Sequence, residues 1–274
     1  MAGFDYFSKN GQILSMGEAV IPVSNVEYSY GFGVYESMKV RGGIVYFVDQ
    51  HVERLFSSAD DIGITHPFTR EDIKQYIGDL VAKLELDACN IKILLIGGRE
   101  PLLFIIPLAP LFPDRKLYSQ GASTITVQYE RPFPHAKALN MLQSYMAYKK
   151  AKENDCYDAL LLDKAVNILE GTRTNFFAIK DKTLFTPPKE RVLEGVALRT
   201  VILAAQKNGF TVQEADISEA LLEEYDGAFL TSTSSKIMPI KQIDDFIFSS
   251  ISENLRELMH LYNTFLDDCK GILK

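Results

Sequence analysis

A lysine that opens an apolar helical run is a candidate for covalent chemistry with a carbonyl. In "PHAKALNMLQSYMAYKKAKEND", Lys137 precedes "ALNML", whereas Lys149, Lys150 and Lys152 read as solvated surface charges. Burial or a nearby positive charge lowers a lysine's pKa enough for it to form a Schiff base with an aldehyde. On those facts alone, a snorkelling surface lysine is the simpler reading. In "ILEGTRTNFFAI", Glu170 follows Ile168 and Leu169 and precedes a small, hydroxyl-rich turn. A carboxylate at the mouth of a strand could hold a proton on a ring nitrogen, but an ion pair with Arg173 or a solvated hairpin end explains it as simply. Two stretches could cradle an anion. "EGVALRTV" puts Gly195 at a helix start, where free backbone N–H groups and the dipole favour negative charge. "LTSTSSK" offers the hydroxyls of Thr231 to Ser235 at a strand end. Helix packing and a polar loop are the plain readings of these two.

Composition narrows the chemistry. The 274 residues suffice for one large or two modest domains, and 47% apolar with 24% charged is an ordinary globular balance. A formal charge of −7 and a pI near 5.2 argue against nucleic acid or an anionic membrane as the main partner, while leaving room for a local phosphate pocket. The most apolar stretch, "LLFIIPLAPLF", is too short to span a membrane and is broken by Pro107 and Pro110. "MAGFDYFSKNG" lacks the basic start and apolar core of a secretory signal. Three scattered cysteines fit reduced thiols in a cytoplasm, and the four histidines show no metal-ligand spacing, so no metal is expected.

The elements that would position these residues follow from periodicity. "GQILSMG" and "AVIPVS" read as short strands, and Gly42-Gly43 as a hairpin turn between "VYESMKV" and "IVYFV". A helix should start near Asp49 as its cap, with Val52, Leu55, Phe56 and Ala59 as its stripe and Gly63 near its end. Thr69 and Asp72 stand at capping-box spacing before a second helix. "NIKILLIGG" and "PLLFIIPLA" are buried strands. The polar segment "LFPDRKLYSQGAS" has no clear periodicity and reads as a connection, giving an N-terminal domain over 1–113, a link over 114–123 and a C-terminal domain over 124–274. Beyond it come strand "TITVQYE", a helix around 139–153, several strands from "YDALLLD" to "TLFTPP", a helix ending at Gly209, strand "FTVQEA", a short helix "SEALLEEYD", strand "GAFLTSTSS" and a C-terminal helix over 252–269. The pattern is α+β in two halves, without steady βαβ alternation.

Taken in order, "YGFGVYESMKV", "HVERLFSSADDIGI", "KALNML", "DALLLDKAVNILEGTRTNFFAIKDKTLFTPP", "LEGVALR" and "FLTSTSSKIMPI" resemble the class IV (fold-type IV) pyridoxal-phosphate aminotransferases. That family includes branched-chain and D-amino-acid aminotransferases and aminodeoxychorismate lyase. The resemblance runs from about residue 15 to 245. It implies the two-domain D-amino-acid aminotransferase-like fold, with pyridoxal 5'-phosphate between the domains, a homodimer, and an amino acid and a 2-oxo acid as substrates. By position it makes Lys137 the Schiff-base lysine and proton shuttle, and Glu170 the partner of the pyridine nitrogen. Arg54, the amides of Val196 and Ala197, and the hydroxyls of Ser232 and Thr233 become the phosphate cradle. Tyr35 becomes an aromatic beside the lysine.

The implied reaction is ping-pong amino transfer involving branched-chain or small amino acids. The alternatives are a lyase releasing 4-aminobenzoate and pyruvate, or a cofactor-binding relative with little turnover. The chain departs from the family pattern at four positions. Phe32 stands where aspartate is common, Ala197 replaces a threonine, the arginine that follows is displaced by one to Arg199, and Val166 replaces a glycine. The arginine–histidine carboxylate trap of the D-amino-acid enzymes has no match near 97–123. Arg99 and Lys92 are the available cations, and nothing in the sequence assigns the substrate carboxylate to either.

Overall fold

The computed structural model describes residues 4–110 and 112–269. Leu111 and the outermost residues of both expected domains, 1–3 and 270–274, lie outside the described residues. The chain forms two compact units. The first holds the described residues up to 110 together with His135–Met141, and the second holds Phe112–Pro134 and Leu142–Cys269.

Unit 1 is built on strands β1 (Tyr6–Lys9) and β2 (Gln12–Ser15), the single helical turn α1 (Val26–Ser29), strands β3 (Gly33–Arg41) and β4 (Ile44–Val45), helices α2 (Val48–Asp61) and α3 (Arg70–Lys83), and strands β5 (Ala88–Ile96) and β6 (Leu102–Leu108). The antiparallel sheet runs β2-β1-β6-β5-β3-β4. Alternation along β3 gives it two faces. Val34, Glu36, Met38 and Val40 are buried, and the apolar three join Ile91, Ile93, Leu55 and Ile77 in a core under α2 and α3. Tyr35, Ser37 and Lys39 point the other way. Gly42 and Gly43 both take positive φ (61° and 71°), as a two-residue hairpin turn requires. The Thr69–Asp72 capping box is present, with Asp72 N–H donating to Thr69 Oγ1 and Thr69 N–H to Asp72 Oδ2.

Two expectations in this half are corrected. "AVIPVS" forms no strand. Pro22 has no N–H to give a ladder, and Asn25 Oδ1 instead accepts from Tyr28 N–H to cap α1. Asp49 does not cap α2. The chain enters through Phe47 at φ 53°, so the helix begins one residue before Asp49, whose carboxylate pairs with Lys74.

Unit 2 contains α4 (Arg115–Gln120), β7 (Ala122–Gln128), α5 (Leu142–Glu153), β8 (Asp158–Leu162), β9 (Asn167–Gly171), β10 (Asn175–Lys180), β11 (Thr183–Thr186), α6 (Val196–Lys207), β12 (Thr211–Glu214), β13 (Ile217–Ser218), β14 (Gly227–Ser232), β15 (Lys236–Ile243), β16 (Phe246–Ile247) and α7 (Glu253–Cys269). Its sheet follows the path β12-β11-β10-β14-β15-β7-β8-β9-β13. A further pairing of β9 with β10, Glu170 opposite Asn175, closes six of these strands into a ring. One apolar cluster centres on Phe176, Leu230 and Met238, and another lies under α6 and α7 around Phe177 and Phe229. The polar segment after 112 is not bare connection, because Asp114 caps the short helix α4. The helix expected at "SEALLEEYD" is a 3-10 turn. Strand β15 was not expected, since Pro239 lies inside it. Its pairing with β7 begins only at Ile240, which leaves the missing N–H without consequence there.

Candidate active site

In unit 1, Lys137 is held by backbone rather than by a helix face. Strand β4 pairs only with Val40 and Arg41, so the Gly33–Tyr35 stretch of β3 is open on that side. His135–Met141 fills the gap through a Val34–Ala138 bridge. Tyr35 N–H donates to Lys137 O (2.9 Å), Leu139 N–H to Gly33 O (2.8 Å) and Lys137 N–H to Ser58 Oγ (3.0 Å). Gly33 must be glycine here, because a Cβ would strike the Leu139 side chain and the Leu95 carbonyl. The Lys137 ammonium lies 4.5 Å from the centroid of the Tyr35 ring, and the Tyr35 hydroxyl reaches Met141 Sδ at 3.9 Å.

Beneath this segment, on the helix-covered face, lies a buried charged cluster. Glu36 accepts from Arg54 Nε (2.6 Å) and Nη2 (2.9 Å) and pairs with His51 Nδ1 (2.8 Å). Burial pushes the Glu36 carboxyl up, but Arg54 and His51 outweigh it and hold it well below the ordinary carboxylate range. Burial pushes His51 below its usual value. Glu36 opposes that shift, and the positive charges of Arg54 and Lys137 add to it. His51, Arg54 and Ser58 occupy one face of α2 at i, i+3 and i+7 spacing. Phe32 packs against Gly97 and Ile64 on the rim of the core, a use of the position that an aspartate would not support.

In unit 2, Glu170 sits at the ring closure and is nearly buried. Its ion pair is with Arg131 Nε (2.6 Å), while the Arg173 guanidinium stacks over Tyr148 at 4.2 Å. Arg131 Nη2 also donates to Pro134 O (2.7 Å). The "GTRT" turn is fixed from below by the fully buried Asp158, which accepts from the hydroxyls of Thr172 (2.5 Å) and Thr174 (3.0 Å). Burial drives the Asp158 carboxyl up, and those hydroxyls and Arg173 partly offset the rise. Glu170, Asn175 and Thr231 stand opposite one another on three successive strands, so their side chains share one face.

Asn175 Nδ2 donates to Leu193 O (2.7 Å), and Asn175 Oδ1 occupies the space a Cβ on Gly195 would need. Helix α6 therefore starts close against this row. No side chain caps it, and the amides of Val196 and Ala197 are in its first turn. After Thr231, Ser232 Oγ accepts from Ser235 N–H (3.2 Å) and meets Ser235 Oγ (2.7 Å), with Thr233 in the turn they close. An uncapped helix start beside hydroxyls is suited to a phosphate, and a buried carboxylate paired with Arg131 in the same row is suited to a protonated ring nitrogen. The donors present thus fit pyridoxal phosphate.

Sequence reasoning did not single out Glu36, His51, Ser58 or Arg131. The polar i, i+3, i+7 interruption of an apolar helix stripe was a readable signal for the α2 pair. Arg131, in an irregular segment, carried none.

The chain belongs to the class IV aminotransferases, since the family model described as "Amino-transferase class IV" matches residues 33–243. It is a pyridoxal-phosphate-dependent aminotransferase, acting on an amino acid and a 2-oxo acid. The D-alanine aminotransferase of Bacillus licheniformis is 27% identical over 247 residues, covering 86% of this chain and 87% of that protein. The branched-chain aminotransferase from Thermoproteus uzoniensis, solved with norvaline, superposes with a TM-score of 0.87 at 25% identity, covering 94% of this chain and 93% of that one. The Thermobaculum terrenum branched-chain amino acid aminotransferase in its PLP form shares the fold, with a TM-score of 0.85 at 23% identity over 96% and 94% of the chains.

Proposed function

We propose that this enzyme moves an amino group between a small or branched-chain amino acid and a 2-oxo acid, with Lys137 as its reactive amine. The observation that carries this reading is the anchoring of the Lys137–Leu139 backbone by three hydrogen bonds, to Tyr35 N–H, Gly33 O and Ser58 Oγ, with the Lys137 ammonium over Tyr35. The relatives named as D-alanine and branched-chain aminotransferases support the substrate class. They give no support to the lyase alternative, which is not retained.

Pyridoxal phosphate supplies the aldehyde carbon for amine exchange and a ring that draws in the electron pair left when the Cα–H bond breaks. Lys137 would be the amine that holds that carbon, and its Nζ would move the proton at the substrate Cα. The Glu170 carboxylate would hold a proton on the ring nitrogen, and its ion pair with Arg131 keeps that carboxylate in place. Arg54, the Val196 and Ala197 amides, and the Ser232 and Thr233 hydroxyls bind the phosphate. Tyr35 lines the substrate side.

The domain division at 114–123 expected from sequence belongs to this proposal. So does self-association as a homodimer, supported by large apolar side chains left exposed in the single chain: Val23 and Tyr30 in unit 1, and Leu142, Tyr145 and Met146 along α5. The three free cysteines are consistent with a cytoplasmic setting. Among the described residues, no helix is long and apolar enough to cross a membrane.

The test is borohydride reduction of cofactor-loaded wild type, Lys137→Ala and Glu170→Gln, followed by peptide mass analysis. The label should fall on the Lys137 peptide, vanish in Lys137→Ala and persist in Glu170→Gln. Solvent exchange of the substrate α-proton should slow by about 100-fold or more in Glu170→Gln. A label elsewhere removes Lys137, and unchanged exchange removes Glu170.

A further inference from the structure

The arginine displaced by one along α6 is a departure that the reaction leaves unused. One residue turns a helical side chain by about 100°, so Arg199 stands on a different face from an arginine at 198. That face borders a cavity of about 300 Å³ in unit 2, between α6, the ends of β11 and β12, and the segment that joins β11 to α6. Val192, Leu198 and Ile202 form its apolar wall, and none of the residues assigned to the cofactor lines it. Arg199 Nε is buried there without a hydrogen-bond partner. Glu194 Oε1, at 3.7 Å, is within ion-pair range but too far to accept. Lys189 and Glu214 also line the cavity, joined by Lys189 N–H donating to Glu214 Oε2 (3.2 Å), a bond that does not use the ammonium.

The charges around this apolar wall balance, Lys189 and Arg199 against Glu194 and Glu214. A lone carboxylate would meet both glutamates, and a lone amine both cations, so neither matches the full set. A molecule that carries both charges on one carbon, with an apolar chain beyond them, does match it. We propose that this cavity binds a free aliphatic amino acid as a second ligand, apart from the one that reacts. Its carboxylate accepts from Arg199 Nε and the Lys189 ammonium, and its ammonium faces Glu194 and Glu214. Its side chain covers Val192, Leu198 and Ile202. The two charged groups of an amino acid are roughly 3 Å apart. Glu194 and Arg199 stand 3.7 Å apart, so such a zwitterion lies against them with each charge facing its opposite. Small-molecule sites run from about 300 to 1,000 Å³, so this volume suits a single amino acid better than a larger ligand.

The experiment uses the cofactor-loaded full chain after borohydride reduction, which fixes the cofactor on its lysine and stops amine exchange there. Binding of leucine, 4-methylpentanoate, 3-methylbutylamine and glycine is measured by equilibrium dialysis. The last three lack in turn the amine, the carboxylate and the side chain. Leucine should occupy one saturable site about tenfold or more tightly than any of them. Arg199→Gln should weaken leucine binding roughly tenfold, and Ile202→Trp, which fills the cavity, should abolish it. Urea unfolding checks that both variants are folded, and Arg199→Gln decides alone if Ile202→Trp is not. Leucine binding that is absent in wild type, or unchanged in Arg199→Gln, overturns the proposal. Equal binding of 4-methylpentanoate or 3-methylbutylamine overturns the zwitterion and with it the ligand assigned here. Peptide mass analysis locates the reduced cofactor separately. A label away from Lys137 ends the reading of that lysine and leaves the cavity to its own variants, which alter no residue assigned to the cofactor.

Discussion

Glu36 grips Arg54 at both prongs of the guanidinium, Nε at 2.6 Å and Nη2 at 2.9 Å, inside a core where the carboxylate has no contact with solvent. Such a pair is an expensive way to build a core and a good way to orient an arginine. Glu36→Gln removes the charge but keeps the shape, leaving Arg54 less compensated. We expect a loss of about 3 kcal/mol in urea unfolding and weaker uptake of pyridoxal phosphate, roughly tenfold. Arg54→Lys, which cannot reproduce the fork, should weaken cofactor uptake as well. Cofactor titrations matching wild type in both variants would detach this pair from phosphate binding.

His51 gives a pH dependence of definite sign. Its Nδ1 faces Glu36, and its Nε2 is buried without a hydrogen-bond partner, so the neutral ring fits the site and an added Nε2 proton does not. Its folded-state pKa is depressed, so the unfolded chain takes up the proton first. The native state therefore loses stability as pH falls through the ordinary histidine range, near 6.5. Thermal unfolding between pH 7.5 and 5.5 should show a larger drop in Tm for wild type than for His51→Asn. His66 is also depressed, but it is common to both proteins, so the difference reports His51. Parallel curves would mean that His51 takes up no fewer protons folded than unfolded.

Gly195 and Asn175 make a steric pair that joins the Glu170 row to the start of α6. Gly195→Ala drives a Cβ into Asn175 Oδ1, at a cost of about 1–3 kcal/mol. It should also weaken inorganic phosphate as a competitor of cofactor binding. Asn175→Gly makes room for the new methyl group but forfeits the bond to Leu193 O. The double variant should then be less destabilised than the two single losses added together. Strict additivity in chemical unfolding would show that the two positions do not press on one another.

What could be read in advance follows from how local the signals are. The Gly42-Gly43 turn, the Thr69–Asp72 box and the start of α6 depend on neighbours within four residues, and periodicity exposed them. Phe47 escaped because a positive φ at a bulky residue is set by the hairpin before it and the helix packing after it. Strand β15 escaped because Pro239 argued against a strand until its partner's register was known. Lys137 is singled out by order along the chain, not by its surroundings. The residues that hold it, Ser58 and the backbone of Gly33 and Tyr35, lie about 80 to 100 positions earlier, beyond the reach of any pattern window. Glu170 is likewise singled out by motif, while its ion-pair partner Arg131 becomes visible only in three dimensions.

The Val34–Ala138 bridge also bears on how the protein is made. A nascent chain that has emerged only as far as β6 carries the six strands and both long helices of unit 1, yet the inner end of β3 still presents bare N–H and C=O groups. That edge waits for His135–Met141, which follows the first elements of the other unit. Until then it is open to a stray strand from another chain. Lys137 thus arrives on the same short segment that seals the fold, and a molecule whose β3 has been captured by a wrong partner is both misassembled and without Lys137 in place.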